Sequence, residues 1–325
     1  MKKNKSKAIW FLFTTMLSIF SICTIRIFDG FRLPFYAVTL NAVLSLGGLI
    51  FQLHVDEKKQ KLPSVIPVHI VLWMNSISVF LMLGLSLFIL ESQYHNRMKP
   101  DARVSSVAEL SKVMEEGGDG VTLLETDKLY IYYADYENIS FVAGKRPSKK
   151  KESSLLCVAT AFQADYELGF SHENVVGWHA SDGQLERGKP EKNLGAFTYV
   201  DGIAQIWNVD EAEQAVINAA DRGGTGYQQF VVLCDGEHGT HTTNEFRCFR
   251  VIAVVDGRAC VIDTRTQMHY EDFITALVEF GIEDALYCDM GSGWNYSWYR
   301  KEKGKTVDII GIPWPFSHNW LVFQN

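Results

Sequence analysis

The stretch Ala285-Leu-Tyr-Cys-Asp-Met-Gly-Ser-Gly-Trp-Asn-Tyr-Ser-Trp-Tyr-Arg300 decides how the rest of the chain is read. Its first four residues, through Cys288, are strand-forming and apolar, and the run stops at Asp289. Small residues follow, and then Trp294, Tyr296, Trp298 and Tyr299. A buried strand that ends on an acid and opens into small residues is a common way to present a carboxylate at a working site. The same spacing fits a strand running into a turn, with Asp289 capping a loop and the aromatics packed beneath it.

Working outward, the helical spacing of Tyr270 to Phe280, closed by Gly281, leads straight into this strand. Before it, Arg247 to Val255 and Arg258 to Ile262 flank Asp256-Gly257, a hairpin signal. Ala196 to Val200 and Ile203 to Trp207 flank Asp201-Gly202 in the same way. Further strands are expected at Lys128 to Ala134, Ser154 to Phe162, Gln229 to Cys234, Val307 to Ile312 and Trp320 to Phe323. Ser106-Val-Ala-Glu109 fits a capping box opening a helix to about Glu116, and Val209 to Asp221 reads as another helix. Strands outnumber helices. The expected fold of residues 100–325 is therefore α+β, a mixed, mostly antiparallel sheet with packed helices.

Residues 1–99 read differently. Ala8 to Ile25, Phe35 to Leu53 and Ile66 to Leu90 each approach the ~20 apolar residues that a helix needs to cross hydrocarbon. They are expected to be three transmembrane helices preceding the globular domain. Lys2, Lys3, Lys5 and Lys7 before the first, and Lys58, Lys59 and Lys61 between the second and third, outweigh Arg26 and Arg32. That bias expects an integral membrane protein with a cytoplasmic N-terminus and an extracytoplasmic C-terminal domain, the lipid bilayer being one partner.

Among 325 residues, 47% hydrophobic and 21% charged, the net charge is -7 and the pI about 5.7. That argues against a nucleic-acid partner, which is bound through clustered Lys and Arg. The one basic run, Lys145 to Lys151, contains Pro147 and reads as a solvated loop. Arg222-Gly-Gly-Thr-Gly226 follows a helix and precedes a strand, the reverse of a phosphate-binding loop, so it reads as a helix stop. His238 and His241 flank Gly239 in a turn; with His172 and His179 they make a metal site conceivable but weakly supported. Cys157, Cys234, Cys248, Cys260 and Cys288 all sit in expected strands without a Cys-x-x-Cys pair, and read as buried thiols.

Three further residues matter. Arg247 and Arg250, three apart on one expected strand, face opposite sides, so at most one enters any single site. Arg250 lies deeper in the apolar segment, where a guanidinium needs a buried anionic partner or substrate. Glu237, like Asp289 and Asp235, stands just past the end of an expected strand. Two such acids beside an arginine suit glycosidic chemistry on a phosphorylated sugar, provided that the strands are neighbours and point the same way.

Phe249 to Gly257, the helix to Gly281, Ala285 to Ser292 and the ending His318-Asn-Trp-Leu-Val322 together resemble the phosphodiester glycosidase family. The likeness lies in the order: an Arg-bearing strand, an Asp-Gly hairpin, a helix, a strand ending on Asp, and an Asn before a last strand. Asp289-Met-Gly-Ser-Gly293 replaces that family's glycine-rich run, and Ala159-Thr-Ala-Phe162 stands where many members carry Asn-Gly-Gly-aromatic. The resemblance implies a hydrolase that cleaves a sugar 1-phosphodiester, with Arg250 on the phosphate, Asp289 near C1 and Glu237 as second carboxylate. It implies that Gly291, Ser292, His318 and Asn319 bind substrate and that Trp294 or Trp298 stacks on the sugar. No cofactor is implied, and a divalent cation stays open. The alternatives are a noncatalytic glycan-binding module of the same fold and an envelope-assembly membrane protein.

Overall fold

The computed structural model describes residues 99–162, 175–289, 296–302, 305–309 and 319–325. The chain divides into two compact units, Met1–Asn96 and Arg97–Asn325, and every described residue belongs to the second. In chain order, β1 (Ala102–Arg103) precedes α1 (Val107–Glu116), β2 (Val121–Glu125), β3 (Leu129–Ala134), β4 (Asn138–Ala143) and β5 (Ser154–Ala159). Then come β6 (Trp178–Ser181), β7 (Gln184–Arg187), β8 (Gly195–Val200), β9 (Ile203–Trp207), α2 (Ala212–Asp221), β10 (Thr225–Gln229), β11 (Val231–Cys234) and β12 (Glu237–His238). The remainder is β13 (Phe246–Arg247), β14 (Arg250–Val255), β15 (Arg258–Thr264), β16 (Met268–His269), α3 (Tyr270–Phe280), β17 (Asp284–Tyr287), β18 (Trp298–Glu302), β19 (Lys305–Asp308) and β20 (Asn319–Gln324).

The strands form an eight-stranded sheet, β1-β2-β3-β15-β14-β17-β11-β12, two five-stranded sheets, β7-β6-β10-β8-β9 and β19-β18-β5-β20-β4, and the small ribbon β13-β16. Among the named strands every pairing is antiparallel except β1 with β2. Tight turns make the hairpins: Asp201-Gly202 and Asp256-Gly257 have φ of 51°, 82°, 50° and 75°. Two residues of positive φ match the twist of the strands they join. Asp182-Gly183 and Asp235-Gly236 do the same between β6 and β7 and between β11 and β12, two hairpins that the sequence reading passed over.

One face of the large sheet, with Leu123, Ile252, Val261 and Leu286, merges its core with Phe197 and Tyr227 of one smaller sheet and Leu156 and Leu321 of the other. The opposite face, with Ile131, Val251, Ala253 and Tyr287, is covered by Leu110 and Met114 of α1 and by Phe273, Leu277 and Phe280 of α3. Each such fully buried side chain is worth about 1.5–3 kcal/mol. Helix α3 ends where Gly281 takes φ 102° and its N–H reaches back to Leu277 O, letting Ile282 tuck in behind. Helix α1 starts with a shifted capping box: Glu109 accepts from the N–H of Ser105 at 2.7 Å, not from Ser106. Helix α2 lays Ala212, Val216 and Ala220 on Ala180 and Ala196 of the β6-β8 sheet.

Two expectations are corrected. The three described helices are 10, 10 and 11 residues long, and each buries one face in the domain. At ~1.5 Å per residue they reach about half of a hydrocarbon core. No helix among the described residues is long and apolar enough to cross a membrane. The segments 8–25, 35–53 and 66–90 lie outside those residues. The fold class is accordingly restated as mixed sheets with three described helices, without three transmembrane helices. The integral-membrane location, with its cytoplasmic N-terminus and extracytoplasmic domain, is withdrawn with them.

Candidate functional site

Strand β14 begins at Arg250, which alternation places on the same face as Ile252, toward the smaller sheets. Its side chain is fully buried. Nε and Nη2 donate to the two carboxylate oxygens of Asp263 at 2.6 and 2.7 Å, and Nη1 donates to Ser297 Oγ at 2.9 Å. Asp263 is the cross-strand partner of Arg250 on β15. Burial opposes the guanidinium charge, but the Asp263 carboxylate more than offsets it and leaves the pKa raised. The buried anion expected for Arg250 is thus a residue of this chain, not a substrate. Both residues stand six positions from the Asp256-Gly257 turn, so a two-residue hairpin makes them partners, and this signal was legible in the sequence.

Beside this pair the ends of several strands are tied at Thr160. Its carbonyl accepts the N–H of Asp289 at 2.7 Å and Nε2 of Gln229 at 3.2 Å. Its hydroxyl donates to Asn319 Oδ1 at 3.0 Å, which also accepts from Ala161 N–H at 2.7 Å. Ser297 Oγ accepts from Ala159 N–H at 3.2 Å, and Cys288 N–H donates to Arg250 O at 3.0 Å. Asn319, expected to bind substrate, is 1% exposed and holds the Thr160–Ala161 backbone instead. Asp289 and Arg250 do lie close together, but Arg250 is behind the sheet.

A cluster of half-exposed side chains, here called the mouth, lies on the helix-covered face around the buried Tyr287. Arg247 Nη2 donates to Tyr287 Oη at 2.5 Å, with the guanidinium 5.4 Å from the Phe249 ring centroid. Burial pushes the Tyr287 phenol up, Arg247 pulls it down, and the Asp289 carboxylate pushes it up again, so both charges bear on one hydroxyl. His241 stacks on Phe230 with centroids 4.2 Å apart and meets Tyr270 edge-on at 5.4 Å. Phe162 packs on Phe230 at 4.9 Å and on Tyr287 at 5.9 Å. Phe162, Phe230, His241, Arg247 and Asp289 all keep partial exposure. Burial and the neighbouring Arg247 lower the His241 pKa against an opposing pull from Glu245, so the ring is neutral at pH 7. The mouth therefore gathers an arginine paired with Glu245 at 2.9 Å, the Asp289 carboxylate, an imidazole and flat apolar walls.

Other expected residues go elsewhere. Strands β11 and β17 are neighbours but antiparallel, pairing Val231 with Leu286 and Leu233 with Ala285. Glu237 therefore lies at the Asp284 end of β17, roughly 15 Å from Asp289 at about 3.3 Å per residue. Trp298 is fully buried with Tyr296 and Trp320 on the outer face of the β18-β5-β20 sheet, so it does not stack on a ligand. Gly291, Ser292, Trp294 and His318 lie outside the described residues. Burial raises the thiols, Cys234 to about 11 and Cys260 to about 12, which disfavours the thiolate. No group of three metal-ligating side chains is found among the described residues. The sequence offered Arg247 only as the opposite face of the Arg250 strand and His241 only as a weak metal ligand; the break at Cys248 and Phe249 that gives Arg247 a strand of its own is not revealed by periodicity.

A comparison with solved structures finds the zebrafish N-acetylglucosamine-1-phosphodiester alpha-N-acetylglucosaminidase catalytic domain, auto-inhibited by its pro-peptide. It is 12% identical, with a TM-score of 0.44 over 63% of this chain and 81% of that one. No family model matches the chain, and no curated protein does. What links this chain to that glycosidase is a distant structural relationship and no more.

Proposed function

We propose that the domain of residues 100–325 is a hydrolase that cleaves the glycosidic bond of a sugar 1-phosphodiester at the mouth around Tyr287. The observation that carries this reading is the pair of opposite charges, Arg247 and Asp289, bearing on the Tyr287 hydroxyl between half-exposed aromatics. In this reading Arg247 replaces Arg250 as the holder of the phosphate, giving up its exposed partner Glu245 for the ligand, because Arg250 is fully buried on Asp263. The sugar ring lies against Phe162 and Phe230, with C1 toward Asp289. A phosphate monoester leaves as an anion, so no general acid is needed, and Glu237 has no part. The C1–O bond breaks with its electron pair going to the phosphate. Water bonds to C1 and gives its proton to the Asp289 carboxylate, which passes it to solvent. Arg250, Asp263, Ser297 and Asn319 are positioning residues that hold the strand ends.

Incubating the purified chain with a panel of hexose 1-(4-nitrophenyl phosphate) diesters tests this. The expected products are the reducing sugar and 4-nitrophenyl phosphate. Release of 4-nitrophenol would mean P–O cleavage and overturn the assignment. Binding of the panel with no turnover beyond that of Asp289→Ala would favour a noncatalytic binding module, to which the aromatic lining is equally suited.

A further inference from the structure

The basic run Lys145 to Lys151, a solvated loop by its sequence, is held in place by the fold. It joins β4 to β5, and Arg300 of β18, 4% exposed, braces it. Arg300 Nε donates to Ser154 O at 3.1 Å, and Nη2 donates to Lys149 O and Lys151 O at 2.9 and 3.1 Å. Tyr296 Oη donates to Pro147 O at 3.0 Å, while Arg146 and Lys149 lie over the Tyr296 ring, 4.7 and 5.3 Å from its centroid. The brace is itself a cation, and these three bonds go to carbonyls, which leave its charge standing. Of the loop's own five cations, Lys149 alone meets a carboxylate among the described residues, Asp308 at 2.6 Å. Lys151 Nζ goes to the neutral Gln324 amide at 2.8 Å, Lys145 and Lys150 are exposed, and Arg146 Nε is shut off from water without a hydrogen-bond partner. A chain of net charge -7 thus keeps a concentrated positive patch on a braced loop. Such a patch focuses a field that draws anions to one place.

We infer that this loop is a docking surface for a flexible chain that carries repeated phosphates and no bases. Its exposed side chains, Lys145, Ser148, Lys150, Lys151 and Glu152, include no apolar group to enter a bilayer. The aromatic ring beside it, Tyr296, is 4% exposed and already carries Arg146 and Lys149, which leaves no open face for a base to stack on. Lysines act as point charges, so they suit a string of phosphates better than one planar anion gripped in a fork. The braced backbone gives up little freedom when a ligand arrives, and the ordering cost falls on the flexible partner. This surface stands apart from the mouth around Tyr287 and does not depend on the hydrolase reading of it.

The test measures binding of the full chain to linear inorganic polyphosphate over a series of sodium chloride concentrations. Affinity for wild type is expected to fall steeply with salt, as counterions released from the phosphates require. Lys145→Glu and Lys150→Glu should each weaken binding about tenfold and flatten the salt slope by about one, with melting temperature and aryl diester turnover as in wild type. Lys112→Glu makes the same charge change on the exposed face of α1 and should leave binding as it was. Equal weakening by Lys112→Glu would reduce the effect to net charge and overturn the inference, as would a wild type that does not bind polyphosphate. Tighter binding of a single-stranded oligonucleotide with the same number of phosphates would overturn the choice of a chain without bases. Lys150-dependent binding to phosphatidylglycerol vesicles in place of polyphosphate would overturn it in favour of a lipid surface.

Discussion

Arg247 and Arg250 stand three residues apart and live in different surroundings. Arg250 is sealed between the sheets, its nitrogens on Asp263 and Ser297. Arg247 sits on the two-residue strand β13, its side chain 30% exposed and reaching Tyr287 Oη. Taking a guanidinium out of water costs several kcal/mol, which only a well-made partner offsets. A group so committed fixes architecture, whereas its half-exposed neighbour pairs with Glu245 at 2.9 Å and with Tyr287 where solvent reaches it. The difference teaches that depth in an apolar segment marks a structural arginine, and that a break in the strand turns its near neighbour to the opposite, half-exposed side.

The comparison breaks first at Asp263. Asp263→Asn leaves a buried cation unpaired and is expected to cost up to about 5 kcal/mol, read as a lower urea midpoint. A loss below about 1 kcal/mol would mean that Arg250 is not held as described. Asp289→Asn is expected to lower turnover of the aryl diester about a thousandfold with little change in melting. Arg247→Ala follows, with kcat/KM down about ten- to hundredfold and stability moved by less than about 1 kcal/mol, the reverse of the Asp263 pattern. His241 gives a smaller, pH-dependent effect. Its folded pKa lies below the unfolded value of about 6.5. The stability that it contributes is therefore whole above that value and lost as pH falls through the lower folded one. Urea midpoints at pH 7.5 and 5 should differ less in His241→Phe than in wild type. Smallest of all, Glu237→Ala should leave both kcat/KM and the midpoint unchanged, since Glu237 is exposed at the far end of the sheet.

Local chemistry made part of this legible. Asp256-Gly257 and Asp201-Gly202 announced their hairpins because only such pairs take two positive φ angles cheaply. Tyr270 to Phe280 and Gly281 gave α3 through spacing and a left-handed stop. Strands β2 and β4 bury Val121, Leu123 and Leu124, and Ile139, Ser140 and Phe141, without strict alternation, so a periodicity argument missed them. The sense of β11 against β17 is a fact of topology, and it separates Glu237 from Asp289, two acids that look alike in sequence. In β18, Trp298 and Tyr299 point to opposite faces, one outward to Trp320 and one inward to Tyr132. A run of aromatics read as one wall is thus divided between two cores. Apolar run length led to the membrane spans, and those segments lie outside the described residues.

The knot at Thr160 has a consequence in time. Its ties run to Gln229, Asp289 and Asn319, and the one to Asn319 closes 159 residues of chain. Contacts so distant form late and slowly. Until β20 docks, as in a chain still emerging from the ribosome, the Thr160 segment that accepts the Asp289 N–H lacks its tie to Asn319 and is held through Gln229 alone.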